Sequence, residues 1–151
     1  MSTHPLRRAL PRSLAVRRGR SAAFFVAAFV VASVATAGSL YYSEVMNLLP
    51  CELCWYQRIA MYPLPLILGY AALTRSSGLY RLVLPFSVTG LAASSFHSWL
   101  QLNPSANCSV GGCSTVQYEF AGVLSIPNQA GIAFTLVTLA MLGVWWTSRS
   151  A

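Results

Sequence analysis

Four cysteines in two close pairs are the residues of this chain best suited to chemistry. Cys51 and Cys54 are separated by two residues, and Cys108 and Cys113 are separated by four. A Cys-x-x-Cys pair at the start of a helix suits thiol–disulfide exchange, because the helix N-terminus favours the thiolate that attacks or leaves. The two pairs therefore predict redox chemistry at sulfur.

Two ionisable residues within apolar stretches could assist the cysteines. Arg58 lies four residues after Cys54, so both share a helical face, and a cation there would stabilise a thiolate or a reduced anionic acceptor. His97 could donate a hydrogen bond to a carbonyl ligand or relay protons, because imidazole titrates near neutrality. Two other interpretations stay open: Arg58 reaches toward lipid headgroups, and His97 is a buried structural histidine.

The elements that must position these residues are predicted to cross a membrane. The chain has 151 residues, of which 56% are hydrophobic and 9% charged, whereas a soluble domain carries about a quarter charged residues. Four apolar stretches are long enough to cross roughly 30 Å of hydrocarbon. They cover residues 21–42, 55–73, 79–102 and 126–146. The predicted fold is an all-α integral membrane protein, an antiparallel bundle of four transmembrane helices.

The charge distribution predicts the orientation of this bundle. Six of the ten arginines lie in residues 1–20, a basic arm that precedes the predicted membrane domain, residues 21–147. With this arm in the cytoplasm, Arg75, Arg81 and Arg149 also fall inside, as the positive-inside rule requires. Both termini are then cytoplasmic. No aromatic residue alternates with the arginines of the arm, so a nucleic-acid partner is not expected.

The predicted outer loops, residues 43–54 and 103–125, hold both cysteine pairs on the side where disulfides persist. The sequence Ala35-Thr36-Ala37 resembles a signal-peptidase site, but the apolar run continues through Tyr42 and has about 22 residues, against roughly 7 to 15 in the apolar region of a signal peptide. We therefore expect this run to remain as the first span.

Static disulfides and a zinc site are the alternatives to redox chemistry for the four cysteines. Short-ring disulfides would restrain the unfolded chain little, and a helical bundle already satisfies its backbone. Zinc is disfavoured by the wider second spacing and by the oxidising location, so no metal site is expected. A membrane scaffold or assembly protein with static extracytoplasmic disulfides remains the alternative function.

The octapeptide Cys-Glu-Leu-Cys-Trp-Tyr-Gln-Arg, followed by Met61-Tyr62-Pro63, resembles the signature of the DsbB family of disulfide-bond formation proteins. The short second loop is similar to its BdbC-type branch, and the resemblance covers about residues 21 to 146. It implies a protein-disulfide:quinone oxidoreductase of the bacterial cell membrane, surrounded by lipid. Such a protein would reoxidise a thioredoxin-fold thiol oxidase, DsbA-like or BdbD-like, and so support disulfide formation in exported proteins.

The resemblance also implies a role for each candidate residue. Cys54 would be the thiol next to the quinone, and Cys51 would be its partner and the relay to the second loop. Cys108 would form the mixed disulfide with the partner oxidase, and Cys113 would resolve it.

A quinone site is implied by the same resemblance. Arg58 matches the family's quinone-site arginine, and His97 is similar to a histidine near the same ring. The cofactor would be menaquinone or ubiquinone, bound beside Cys54. A vitamin K epoxide reductase type of protein would also couple thiols to quinone, but its loop cysteines precede the Cys-x-x-Cys pair.

The second loop departs from the long-loop members of the family, which place an interfacial helix between the cysteines of the second pair. Here only four residues intervene, and Gly111 and Gly112 would let the backbone turn back so that the pair can close. After this pair, some apolar residues have helical spacing and predict a short segment on the membrane surface. They are Val116, Phe120, Val123 and Leu124. Within the second span, Pro63 and Pro65 predict a kink.

Overall fold

The structure is a computed structural model that describes residues 12–103, 113–114 and 116–149. Most of these residues are helical, with one small β-hairpin near the start of the last helix. The predicted roles of Cys108 fall outside the described residues. The elements are α1 (Arg12–Leu40), α2 (Glu52–Met61), α3 (Pro63–Thr74), α4 (Tyr80–Leu102), β1 (Glu119–Phe120), β2 (Leu124–Ser125) and α5 (Ile126–Arg149).

Among the described residues, three helical segments are long and apolar enough to cross a membrane, and they match three of the predicted spans. They cover Gly19–Val45, Ser77–Leu102 and Ile126–Arg149. The first is α1 extended by a π-helical turn, and the second is α4 preceded by a 3-10 turn. Because α1 begins at Arg12, the helix also includes the end of the predicted basic arm.

The predicted second span is present as two consecutive helices, α2 of 10 residues and α3 of 12. The interruption falls at Tyr62 and Pro63, where the prolines predicted a kink. Pro63 and Pro65 have no N–H to donate to the carbonyls of the preceding turn, whereas the N–H of Tyr62 still donates to the carbonyl of Arg58 at 2.9 Å. One predicted helix therefore becomes two.

The bundle is held together by α5, which packs against both α1 and α4, while α3 packs against α1 and α2 against α4. The largest fully buried side chains between these helices are apolar, and they include Phe25, Leu64, Leu68, Phe134 and Met141. Many other large apolar side chains point outward. An apolar exterior of this kind suits a bundle whose solvent is hydrocarbon.

The predicted surface helix after Cys113 is wrong, because this segment forms a hairpin. Glu119 pairs with Ser125 and Phe120 with Leu124 in antiparallel register. The turn between the strands contains Ala121 and Gly122 with φ of 54° and 70°, which a right-handed helix does not allow. Apolar spacing over nine residues was compatible with a helix, but the turn conformation overrides it.

Close packing between α4 and α5 depends on Gly90, because any Cβ there would overlap the ring of Phe134. We expect Gly90→Val to separate the two helices and to lower the free energy of unfolding by about 1–3 kcal/mol, the usual cost of overpacking. Thermal unfolding in detergent would measure this loss. Gly78→Ala is the matched control, since a Cβ there meets nothing within 4 Å; equal losses in both variants would contradict the packing role.

Candidate redox site

The first cysteine pair is built into the start of α2. Cys51 is the N-cap residue, and its Sγ accepts a hydrogen bond from the backbone N–H of Cys54 at 3.4 Å. This cap satisfies one of the free N–H groups of the first helical turn and turns both side chains the same way. The two Sγ atoms lie 2.9 Å apart. The pair is therefore positioned to close into a disulfide.

The hydrogen bond between these two sulfurs makes the reduced pair asymmetric. It is the main cause that lowers the pKa of Cys54 to about 7, and Arg58 adds a smaller favourable charge. The same hydrogen bond, together with burial, raises the pKa of Cys51 to about 11. Both residues precede the predicted span 55–73. At neutral pH, a substantial fraction of Cys54 is therefore thiolate, whereas Cys51 keeps its proton.

Arg58 lies one turn further along α2 and is held by α1. Its Nε donates to the Oγ of Ser39 at 3.0 Å, and its NH2 group donates to the carbonyl oxygen of Ser39 at 2.9 Å. The guanidinium also lies over the ring of Trp55, 5.5 Å from its centroid. These contacts fix the cation between α1 and α2, within the bundle.

A cavity of about 450 Å³ lies beside Cys54 and Arg58, between α1, α2 and α5. Most of its wall is apolar, with α1 and α5 contributing side chains such as Val30, Val34, Ala133 and Leu136. Cys54, Gln57 and Arg58 supply its polar part along one face of α2. A largely apolar cavity with a few polar groups at one place is the usual form of a small-molecule site.

His97 lies beside Cys51, which carries the other sulfur of the thiol pair. Its Nε2 is 3.8 Å from the Sγ of Cys51, and its Nδ1 accepts a hydrogen bond from Nε2 of Gln57 at 3.1 Å. Nδ1 is then unprotonated, so Nε2–H is the group that faces the sulfur. The described polar contacts of His97 are thus with Cys51 and Gln57, and it is not among the described residues that line the cavity.

Gln57 is a site residue that the sequence reasoning missed. Its side chain is 5% exposed, touches His97 in α4, and also lines the cavity. The sequence could have identified Gln57 by its position in the octapeptide, three residues after Cys54 and directly before Arg58. A polar amide on the buried face of an apolar helix needs a partner.

Cys113, a member of the second cysteine pair, lies beside the first pair. It is fully buried, and its Sγ, that of Cys51 and a ring nitrogen of His97 all lie within 4.8 Å of one another. Burial raises the pKa of Cys113, while the backbone N–H groups of Leu53 and Glu52 at the start of α2 lower it in part. The structure therefore gathers Cys51, Cys54, Cys113 and His97 into one cluster, with Arg58 adjacent.

Comparison with known proteins identifies the family. The sequence profile described as Disulfide bond formation protein DsbB matches residues 19–144. The chain belongs to the DsbB family. The resemblance predicted from the octapeptide is thereby confirmed.

Its relatives include disulfide formation proteins of several bacteria. A probable disulfide formation protein of Oceanobacillus iheyensis is 45% identical over 116 residues, which is 72% of this chain and 79% of the relative. Disulfide bond formation protein C of Bacillus subtilis is 42% identical over 123 residues, 78% of this chain and 89% of the relative. No solved structure matches the chain. This DsbB-family protein is accordingly a membrane protein and a disulfide-forming oxidoreductase.

The asymmetry of the first pair has a measurable consequence. In the reduced protein, the rate of alkylation of Cys54 should rise with pH through about 7, while Cys51 should stay unreactive until about pH 11. Mass spectrometry of peptides after timed iodoacetamide treatment would separate the two rates. Cys51→Ala removes the hydrogen bond, so the pKa of Cys54 should move up toward its ordinary value, and Cys51→Ser, which keeps a donor, should restore part of the shift. An unchanged Cys54 profile in Cys51→Ala would contradict this cause.

Proposed function

We propose that this protein is a quinone-dependent membrane thiol oxidase that reoxidises a thioredoxin-fold disulfide oxidase, and so supports disulfide formation in exported proteins. The observation that carries the proposal is the apolar cavity that Cys54 and Arg58 both line. It places the thiolate-bearing cysteine and a fixed cation at the same wall. A static disulfide would need neither of them.

The proposed topology has four spans with both termini in the cytoplasm. The second span consists of most of α2 together with α3, since residues 55–73 are long enough to cross roughly 30 Å even with an interruption. The arginines predict which side is cytoplasmic. The four cysteines then lie on the extracytoplasmic side of the bacterial cell membrane, where a soluble oxidase can reach them.

In the proposed relay, a thiolate of the partner oxidase attacks Cys108 and opens the Cys108–Cys113 disulfide, releasing the thiolate of Cys113. That thiolate attacks the Cys51–Cys54 disulfide at Cys51, forming a Cys51–Cys113 bond and releasing the thiolate of Cys54. The cluster of Cys51, Cys113 and His97 supports this step, because the two sulfurs lie within 4.8 Å of each other. The lower pKa of Cys54 makes it the better leaving group.

The second thiol of the partner displaces Cys108 and closes the disulfide of the partner. The freed Cys108 then attacks Cys113, which restores the Cys108–Cys113 disulfide and leaves Cys51 and Cys54 as the two thiols to be oxidised.

The residues of the cavity suit a quinone. Its apolar wall would hold the ring and tail, while the guanidinium of Arg58 and the amide of Gln57 can donate hydrogen bonds to carbonyl oxygens. A bound quinone supplies a two-electron, two-proton acceptor, so that two thiols become a disulfide as quinone becomes hydroquinone. Arg58 stabilises negative charge at this wall, both on the sulfur of Cys54 and on an acceptor.

Anaerobic quinone reduction, followed by ultraviolet absorbance, tests the proposal. Purified protein in detergent is supplied with menaquinone or ubiquinone and with a reduced thioredoxin-fold oxidase as donor. We expect turnover in the wild type and none in Cys54→Ser, because the thiolate at the cavity is lost. Turnover should be normal in Tyr56→Phe, whose phenol donates a hydrogen bond to Glu52 at the surface. Full turnover in Cys54→Ser would refute the assignment, and no turnover by folded wild type with either quinone would favour the static scaffold.

Arg58 should affect the KM for quinone, the electron acceptor, and not the KM for the partner oxidase, the electron donor. We expect Arg58→Ala to raise the KM for quinone roughly tenfold, equivalent to about 1.4 kcal/mol, with little change in the KM for the partner oxidase. Ser39→Ala should give a smaller increase, because one of the two hydrogen bonds that fix the guanidinium is lost. Arg81→Ala, an exposed arginine on α4, is the control. A quinone KM unaffected by Arg58→Ala would return Arg58 to the role of a headgroup contact.

A further inference from the structure

Three potential metal ligands from distant parts of the chain meet at the thiol pair. Cys51 caps α2, His97 belongs to α4, and Cys113 lies in the outer loop, yet their ligand atoms are all within 4.8 Å of one another. Thiolate sulfur and imidazole nitrogen are the ligands that Zn²⁺ and related d10 cations prefer. The spacing of the four cysteines predicted no metal site, because spacing in the sequence does not show that His97 lies beside Cys51 and Cys113.

The spacing of these atoms suits a tetrahedral ion. The Sγ of Cys51 and Nε2 of His97 are 3.8 Å apart. With zinc bonds of ~2.3 Å to sulfur and ~2.0 Å to nitrogen, neighbouring ligand atoms lie about 3.5–3.8 Å apart. The three atoms would therefore have to move together by no more than about 1 Å to share one ion.

The orientation of His97 is already that of a ligand. Gln57 holds Nδ1 at 3.1 Å, and this leaves Nε2 facing the sulfur of Cys51. Metal-binding histidines are commonly held in this way by a partner on the second ring nitrogen. When Nε2 binds an ion, Nδ1 carries the proton, and the Gln57 amide accepts it through its oxygen after turning over. His97 is 3% exposed, which excludes bulk water from this arrangement.

Cys54 lies outside this set of three, although its sulfur is 2.9 Å from that of Cys51. It lines the apolar cavity. A site with three protein ligands keeps one coordination position open. Cys54 can therefore be replaced without removing a ligand of the three-residue cluster.

We propose that the fully reduced protein binds one d10 cation, such as Zn²⁺, through Cys51, His97 and Cys113, and that this ion stops the thiol relay. Binding converts two thiols and a divalent cation into a dithiolate complex and two released protons, with no change of oxidation state. A disulfide that includes Cys51 or Cys113 removes a ligand, so oxidised protein does not bind. The inhibition rests on the proposed function, whereas the binding does not.

Cadmium is the probe, because its thiolate complexes have an ultraviolet charge-transfer band. Full-length protein in detergent is reduced, freed of reductant under anaerobic conditions and titrated with Cd²⁺. We expect one equivalent to saturate the band, Zn²⁺ to compete for the site, and oxidised protein to give no band. A reduced, folded wild type without a one-equivalent band would overturn the proposal.

Variants locate the ion. His97→Ala and Cys113→Ser should each weaken Cd²⁺ binding at least tenfold. Gln101 lies in the same crevice as His97 but is not a proposed ligand, so Gln101→Ala should bind Cd²⁺ as the wild type does. Circular dichroism confirms that each variant is folded. Unchanged affinity in folded His97→Ala and Cys113→Ser would overturn the proposed ligand set.

Cys54→Ser separates this inference from the proposed function. It should keep the cadmium band while being inactive with quinone, so a failure of quinone chemistry leaves the binding result intact. In wild type, Zn²⁺ added before the donor should slow quinone reduction, a chelator should restore it, and His97→Ala should be less sensitive. Tight binding by active wild type without inhibition would overturn the regulatory half of the proposal.

Discussion

The hydrogen bond between the sulfurs of Cys51 and Cys54 is the interaction on which the rest of the site depends. It exists because Cys51 caps α2, which brings its side chain over the first turn of the helix. One shared proton then separates the two thiols into a proton-bearing partner and a thiolate. The difference in pKa between the two thiols thus arises mainly from a local helix cap.

The neighbours of α2 supply a different environment to each of the two sulfurs. On one side, α1 fixes Arg58 through Ser39, and α1 and α5 build the apolar cavity beside Cys54. On the other side, α4 places His97 against Cys51, and the outer loop adds Cys113. The Cys-x-x-Cys pair therefore contacts an apolar cavity through Cys54 and a polar cluster through Cys51. This arrangement suits the proposed transfer of electrons from thiols to a lipid-soluble acceptor.

Burying this polar cluster in an apolar bundle requires that its groups satisfy one another. Gln57 bonds to His97, and the guanidinium of Arg58 has two hydrogen bonds to Ser39. Elsewhere, hydroxyl groups such as those of Thr89 and Thr138 donate to carbonyls of their own helices. Because hydrocarbon offers no hydrogen bonds, these internal pairs are what allow polar side chains to remain in the helices.

Sequence alone determined the features that depend on residues close together in the chain. Apolar runs located α4 and α5 nearly to their ends, the prolines located the interruption after α2, and the octapeptide identified the family. Tertiary structure decided that Cys113 and His97 meet at Cys51, that Gln57 joins them, and that residues 119–125 form a hairpin. The physical reason is that side-chain periodicity and capping act within a few residues, whereas these contacts arise only when α2, α4 and the outer loop pack together.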